Sequence, residues 1–132
     1  MAAKPFAALR WIALLLLVAA YLQGGIDKAL DFAGAVGEMQ HFGLQPAAPL
    51  ALATIALELG ASMMILAGRL RWLGALALAA FTLAANFVAN RYWSAPAADR
   101  FMLENGFFEH LGLVGGFLLV AWVDRHERKI AA

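Results

Sequence analysis

The chain has 132 residues, of which 64% are hydrophobic and 14% charged, with a formal net charge of +1 and a mean hydropathy of +0.74. This is too apolar and too poor in charge for a soluble domain of its length, and its basic residues are dispersed at the ends of apolar runs, so the charge gives no sign of nucleic acid, no nucleic-acid partner is expected, and the lipid bilayer is the expected one. The sequence has no cysteine, so a disulfide framework, thiol redox chemistry and thiolate-held clusters are excluded, and three histidines are left as strong soft-metal ligands.

Continuous Leu and Ala runs, rather than segments of about ten alternating residues, select helices over a closed barrel. The expected fold class is all-α membrane, a four-transmembrane-helix bundle with helices over about residues 9–26, 47–68, 71–90 and 105–124. In chain order, Met1 to Arg10 is a short basic arm, followed by the apolar run Trp11 to Gln23. A basic start, an apolar core and Val18-x-Ala20 also fit a secretory signal. Against cleavage, Leu9-Arg10-Trp11 recurs as Leu70-Arg71-Trp72, each time opening an apolar helix. Gly24, Gly25, Asp27 and Lys28 are expected to end the first helix. Ala29 to Phe42 then reads as an amphipathic segment, with Phe32, Ala35, Val36, Met39 and Phe42 at helical spacing, suited to lying at the interface or capping the bundle.

Gly43, Pro46 and Pro49 break that segment and launch the second membrane helix. Arg69 and Arg71 make a tight turn into the Ala-rich third helix, Arg91 to Glu104 reads as a polar loop, and the fourth helix ends in a charged tail from Asp124 to Lys129. Lys4, Arg10, Arg69, Arg71, Arg125, Arg128 and Lys129 fall on one side, and Lys28, Arg91 and Arg100 on the other. The positive-inside rule therefore places both termini in the cytoplasm. The repeated Leu-Arg-Trp also fits two tandem two-helix units, in which Glu58 and Glu109 would occupy corresponding sites.

The polar residues within apolar helices carry the functional information. A carboxylate at the centre of a span costs roughly 2.5–3.5 kcal/mol, so Glu58 is expected to face other helices or to hold a proton. Thr54, Glu58 and Ser62 share one helical face; Thr82, Asn86 and Asn90 share another; Tyr21, Gly24 and Lys28 a third; and Asn105, Glu109, Gly112 and Gly116 a fourth. Together they imply a polar pocket in the outer half of the bundle, with the amphipathic segment and His41 near its end as a lid. Asn86 and Thr82 also suit simple interhelical bonding, and Glu109 and His110 hydration near the outer interface. A pair between Glu58 and Lys28 or Arg91 that only fixes packing is the structural alternative for the central carboxylate. His41 and His110 both fall on the outer side, but nothing in their spacing requires haem or a metal ion. Trp11, Trp72, Trp93 and Trp122 fit an interfacial aromatic belt, and Gly112, Gly115 and Gly116 fit close helix packing.

The first helix ends in Gly24-Gly25-x-x-Lys28, and the following stretch leads to Gly43-Leu44-x-Pro46. The second helix carries Glu58-Leu59 and Met63-Met64-Ile65-Leu66-x-Gly68, followed by a basic turn and two further helices. This pattern, over nearly the whole chain, resembles the DoxX family of small four-helix membrane proteins. The resemblance implies a bacterial-type inner (plasma) membrane protein, associated in some relatives with thiosulfate-to-quinone electron transfer. It carries over Lys28, Glu58 and Gly68 as pattern positions and supplies no catalytic set, and the absence of cysteine speaks against covalent sulfur carriage. One expected function is a redox-associated subunit whose pocket takes a quinone or similar amphiphile. Glu58 would exchange the proton, the remaining pocket residues (Lys28, His41, Thr54, Ser62, Thr82, Asn86, Glu109 and His110) would contact the ligand, and a redox partner subunit would deliver electrons. The alternatives are a non-catalytic membrane anchor or assembly subunit and, with a homo-oligomer, a small transporter.

Overall fold

The computed structural model describes residues 3–132, and the side chains from Phe6 onward. Met1 and Ala2 of the basic arm lie outside the described residues, as does the Lys4 side chain. The helices are α1 (Ala3–Leu30), α2 (Phe32–His41), α3 (Ala47–Ala67), α4 (Arg71–Ala89) and α5 (Ala97–Ala131), with a 3₁₀ turn at Tyr92–Ser94 between the last two. Four of them, all except α2, are long and apolar enough to cross a membrane. The chain is thus an all-α, multi-pass membrane protein, and four crossings return the two termini to the same end of the bundle. In lipid every backbone polar group needs an internal partner, and uninterrupted helices supply it.

Two boundaries differ from the sequence expectation. α1 does not stop at Gly24-Gly25 but continues to Leu30. Each glycine costs about 1 kcal/mol of helix propensity relative to alanine, yet both are used for close approach to α3. A Cβ on Gly25 would lie 2.6 Å from Leu59 Cδ2, and one on Gly24 would lie 2.8 Å from Glu58 Oε2. The break comes instead at Asp31, whose carboxylate caps α2 by accepting the Gly34 N–H at 3.0 Å. α5 begins at Ala97 rather than near residue 105, so much of the expected polar loop is helical, and its 35 residues span about 52 Å. That exceeds the hydrocarbon thickness of roughly 30 Å, so α5 extends beyond the membrane.

Around the bundle, α3 lies between α1 and α4, α4 packs on α5, and α5 closes on α1 through Tyr21 against Phe117 and Leu17 against Gly116. The core is built from Leu14, Val18 and Tyr21, from Ala61 and Ile65, from Ala75, Leu78 and Ala79, and from Phe117 and Ala121. Small residues dominate because helices in lipid associate by close packing rather than by expelling water. Gly74 is the tightest instance, since a Cβ there would lie 2.8 Å from the Ala61 carbonyl oxygen. Gly112 and Gly115 do not serve packing as expected: a Cβ on either would have no neighbour within 4 Å, and of the three glycines only Gly116 meets another helix. The amphipathic reading of α2 is seen in Ala35 and Met39, which are buried against Ala47 and Ala51 at the start of α3.

At the end of the bundle that carries the termini, the helix ends are capped by tertiary contacts. α4 has no side-chain cap of its own, and its N-cap Leu70 sits in the left-handed region at φ 51. Asp124 of α5, 5% exposed, supplies the acceptor for the Trp72 N–H at 3.1 Å and is also held by Arg128 at 3.0 Å. The carbonyls that end α3 are taken by Arg71 on Ile65, Trp11 on Leu66 and Arg128 on Gly68. The two Leu-Arg-Trp stretches therefore make different contacts: Trp11 donates from its indole, whereas Trp72 is held through its backbone.

Two substitutions test this packing by thermal unfolding in detergent. Asp124→Ala, which strips α4 of its acceptor and leaves Arg128 with one partner fewer, is expected to cost about 1.5–3 kcal/mol. Gly74→Ala, which forces α4 away from the α3 backbone, is expected to cost about 1–3 kcal/mol.

Candidate functional site

Glu58 lies mid-way along α3 and is 4% exposed. Its carboxylate accepts a hydrogen bond from Lys28 Nζ at 2.9 Å, an ion pair whose side chains are 5% and 18% exposed. Of the two partners open to Glu58 in the sequence, the structure selects Lys28; Arg91 is exposed beyond the end of α4. The pair exists because α1 continues as a helix past Gly24: the four-residue step from Gly24 to Lys28 brings the ammonium over the face on which Gly24 leaves room for the carboxylate.

Two cavities meet at Lys28, both away from the terminal end. The inner one, about 220 Å³, lies among all four long helices and is lined by Tyr21, Lys28, Glu58, Thr82 and His110 among apolar neighbours. The second is an apolar cleft of about 300 Å³ between α2, α3 and α4, with Met39, Phe42, Leu50, Phe81 and Val88 in its wall. Its charged groups are Lys28 and Glu38. Lys28, Phe81 and Ala85 line both spaces and form the partition between them.

The structure brings some of the sequence-selected residues together and separates others. Tyr21 and Thr82 share a buried hydrogen bond between their hydroxyls beside the inner cavity. His110 reaches that cavity while donating from Nδ1 to the Gly106 carbonyl at 2.7 Å. Thr54 lines the cleft with its hydroxyl bonded to the Leu50 carbonyl. Ser62 is fully buried and donates to the Glu58 carbonyl at 2.6 Å, lining neither cavity. Asn86 is spent on helix association: it donates to the Phe107 carbonyl at 3.0 Å and accepts from Asn90 at 2.9 Å. Glu109 is exposed, and so does not match the buried Glu58 as equivalent sites of two repeats would. His41 is exposed at the end of α2 with its ring against Phe42, outside both cavities. Glu38 and Phe42, one helical turn apart, line the cleft in its place.

Glu38 and the partition residues Phe81 and Ala85 were not singled out as site residues in the sequence. Glu38 looks like one more polar residue on the outer side of an amphipathic helix, and its place in the cleft follows only from how α2 folds back over α3. Among the described residues no group of three or more His, Asp and Glu side chains is arranged to hold a metal ion.

The arrangement provides a buried carboxylate, an ammonium donor beside it, and an apolar cleft that reaches the ammonium. The comparisons with known proteins bear on the same elements. No curated protein and no solved structure matches the chain. The family model DoxX matches residues 8–91, well over half of the sequence. The match takes in the Gly24-Gly25 seat, Lys28, Glu58 and the α2 cover of the cleft, and by it the chain belongs to the DoxX family.

Proposed function

We propose that this protein is a redox-associated membrane subunit that binds a quinone or a similar amphiphile at the Lys28–Glu58 pair. The observation that carries the reading is that Lys28 lines both the polar inner cavity and the apolar cleft. A single ligand then places its head group against the ammonium and carboxylate and its hydrocarbon tail along Phe42, Leu50 and Val88. Most small-molecule sites have this character, apolar walls with a few placed polar groups.

Reduction of a quinone takes up two electrons and two protons. Glu58 is the group suited to giving a proton to the bound head, Lys28 donates a hydrogen bond to its oxygen, and the Tyr21–Thr82 hydroxyl pair borders the same space. Electron delivery is assigned to a partner subunit. We place the protein in a bacterial-type inner membrane with both termini cytoplasmic, because Arg10, Arg69, Arg71, Arg125, Arg128 and Lys129 belong to the terminal end. The cleft then opens in the outer half of the bilayer.

One observation favours the scaffold reading, a non-catalytic anchor or assembly subunit. Among the described residues no buried side-chain polar atom lacks a hydrogen-bond partner, so the pair is satisfied without a ligand. A buried ion pair can fix helix register alone, and breaking one by removing a partner costs about 3–5 kcal/mol.

The two readings separate in a purification from native membranes in mild detergent, followed by mass spectrometry of retained small molecules. The proposal expects co-purified quinone in the wild type and its loss in Glu58→Gln and in the double variant Lys28→Gln/Glu58→Gln, which removes both charges together. Retained protein partners with no small molecule, unchanged by these substitutions, would favour the scaffold. As a separate check, Ala85→Phe fills the junction of the two cavities without touching either charge. It is expected to lower quinone affinity about tenfold or more, roughly 1.4 kcal/mol or above, with the unfolding temperature preserved.

A further inference from the structure

Glu58 sits in the bundle interior, and any proton it gives up must be replaced from water. The titratable or charged groups around it are few. α1 brings Lys28 and Tyr21, α2 brings Glu38 across the cleft, and α5 brings His110, while the wall formed by α4 is Phe81, Thr82 and Ala85. Tyr21 is buried and committed to Thr82. Of the remaining groups, Glu38 is the one that is both exposed and lines the same cleft as Lys28. Among the described residues it makes no ion pair; the ammonium is held by Glu58.

From this juxtaposition we infer that Glu38 is the proton-entry residue of the site and that Lys28 relays between the two carboxylates. The inference rests on the reading of Glu58 as the proton-exchanging group. The step balances without any further reactant. A proton from outer water binds the Glu38 carboxylate. The Lys28 ammonium gives one of its protons to the Glu58 carboxylate and becomes a neutral amine, then takes the proton from the Glu38 carboxyl group. Lys28 is again an ammonium and Glu38 again a carboxylate, and one proton has moved from water to Glu58. Lys28 is suited to this because it alone among the charged groups borders both spaces, and a flexible four-carbon stem lets it turn from one partner to the other. Glu38 touches neither the inner cavity nor a head group held there, so its role is in supplying the proton rather than in binding.

The test needs no quinone, so it can fail independently of the binding proposal. Purified full-length protein is dropped rapidly to acid pH, and the carboxyl stretch of Glu58, assigned by its absence in Glu58→Gln, is followed by time-resolved infrared difference spectroscopy. Glu38→Gln is expected to slow the appearance of that band on the order of a hundredfold, and Glu38→Asp to restore most of the rate. A purely structural residue would not show this pattern. Glu38 is exposed, and both variants should fold. A wild-type rate in Glu38→Gln would overturn the inference. So would a slowing confined to His110→Asn, which would put the entry on α5, or a Glu58 band that does not respond to pH in the wild type.

Discussion

The structure depends on holding one ion pair inside an apolar bundle. Lys28 and Glu58 meet at 2.9 Å with little exposure, in a place where a lone charge on a span costs roughly 2.5–3.5 kcal/mol. Their meeting requires α1 and α3 to approach more closely than ordinary side chains allow, and Gly24 and Gly25 provide the room. The same approach keeps α1 helical to Leu30, which brings Lys28 into the interior, and it leaves only Asp31 between α1 and α2. With so short a connection, α2 folds back onto the start of α3 and covers the cleft. The seat of the pair, the position of the lysine and the cover of the slot are consequences of one packing constraint.

The two ends of the bundle are built differently. At the terminal end, arginines, a tryptophan and the buried Asp124 occupy the open carbonyls of α3 and the open N–H of α4, tying α1, α3, α4 and α5 together. At the far end, packing is aromatic, with Phe87, Tyr92, Trp93 and Phe107 in edge-to-face contact, and Asn86 there supplies a buried polar link from α4 to α5. Both cavities lie on the far side of the core. The lining residues of both cavities thus sit away from the end that the arginines close.

Much of this was legible in the sequence. Length and apolarity defined four spans, a carboxylate in the middle of one of them marked the site, and helical spacing aligned Tyr21, Gly24 and Lys28 on the inward face of α1. What escaped was decided by tertiary contact. Gly24-Gly25 carries the local signature of a helix end, and only the neighbouring Leu59 and Glu58 show it to be a packing seat. The segment from Ala97 to Asn105 is polar, so hydropathy ends the span there, but a helix outside the membrane needs no apolar run. His41 drew attention as a rare residue type, yet it lies about 100° round the helix from Phe42 and faces out, while the ordinary Glu38 faces the cleft. Hydroxyls at inward positions, Thr54 and Ser62, return to their own helix carbonyls, a use that spacing cannot distinguish from ligand contact.

The central claim is that a lipid-soluble ligand occupies the slot that ends at Lys28. The most direct test is photolabelling of the membrane-embedded protein with a quinone carrying a photoreactive group on its tail, with the labelled residues mapped by mass spectrometry. The account predicts labels concentrated on Met39, Phe42, Phe81 and Val88, competed away by unlabelled quinone. Labels spread over the exposed faces of α1 and α5, such as Leu16, Leu119 and Trp122, and unaffected by competitor would contradict it.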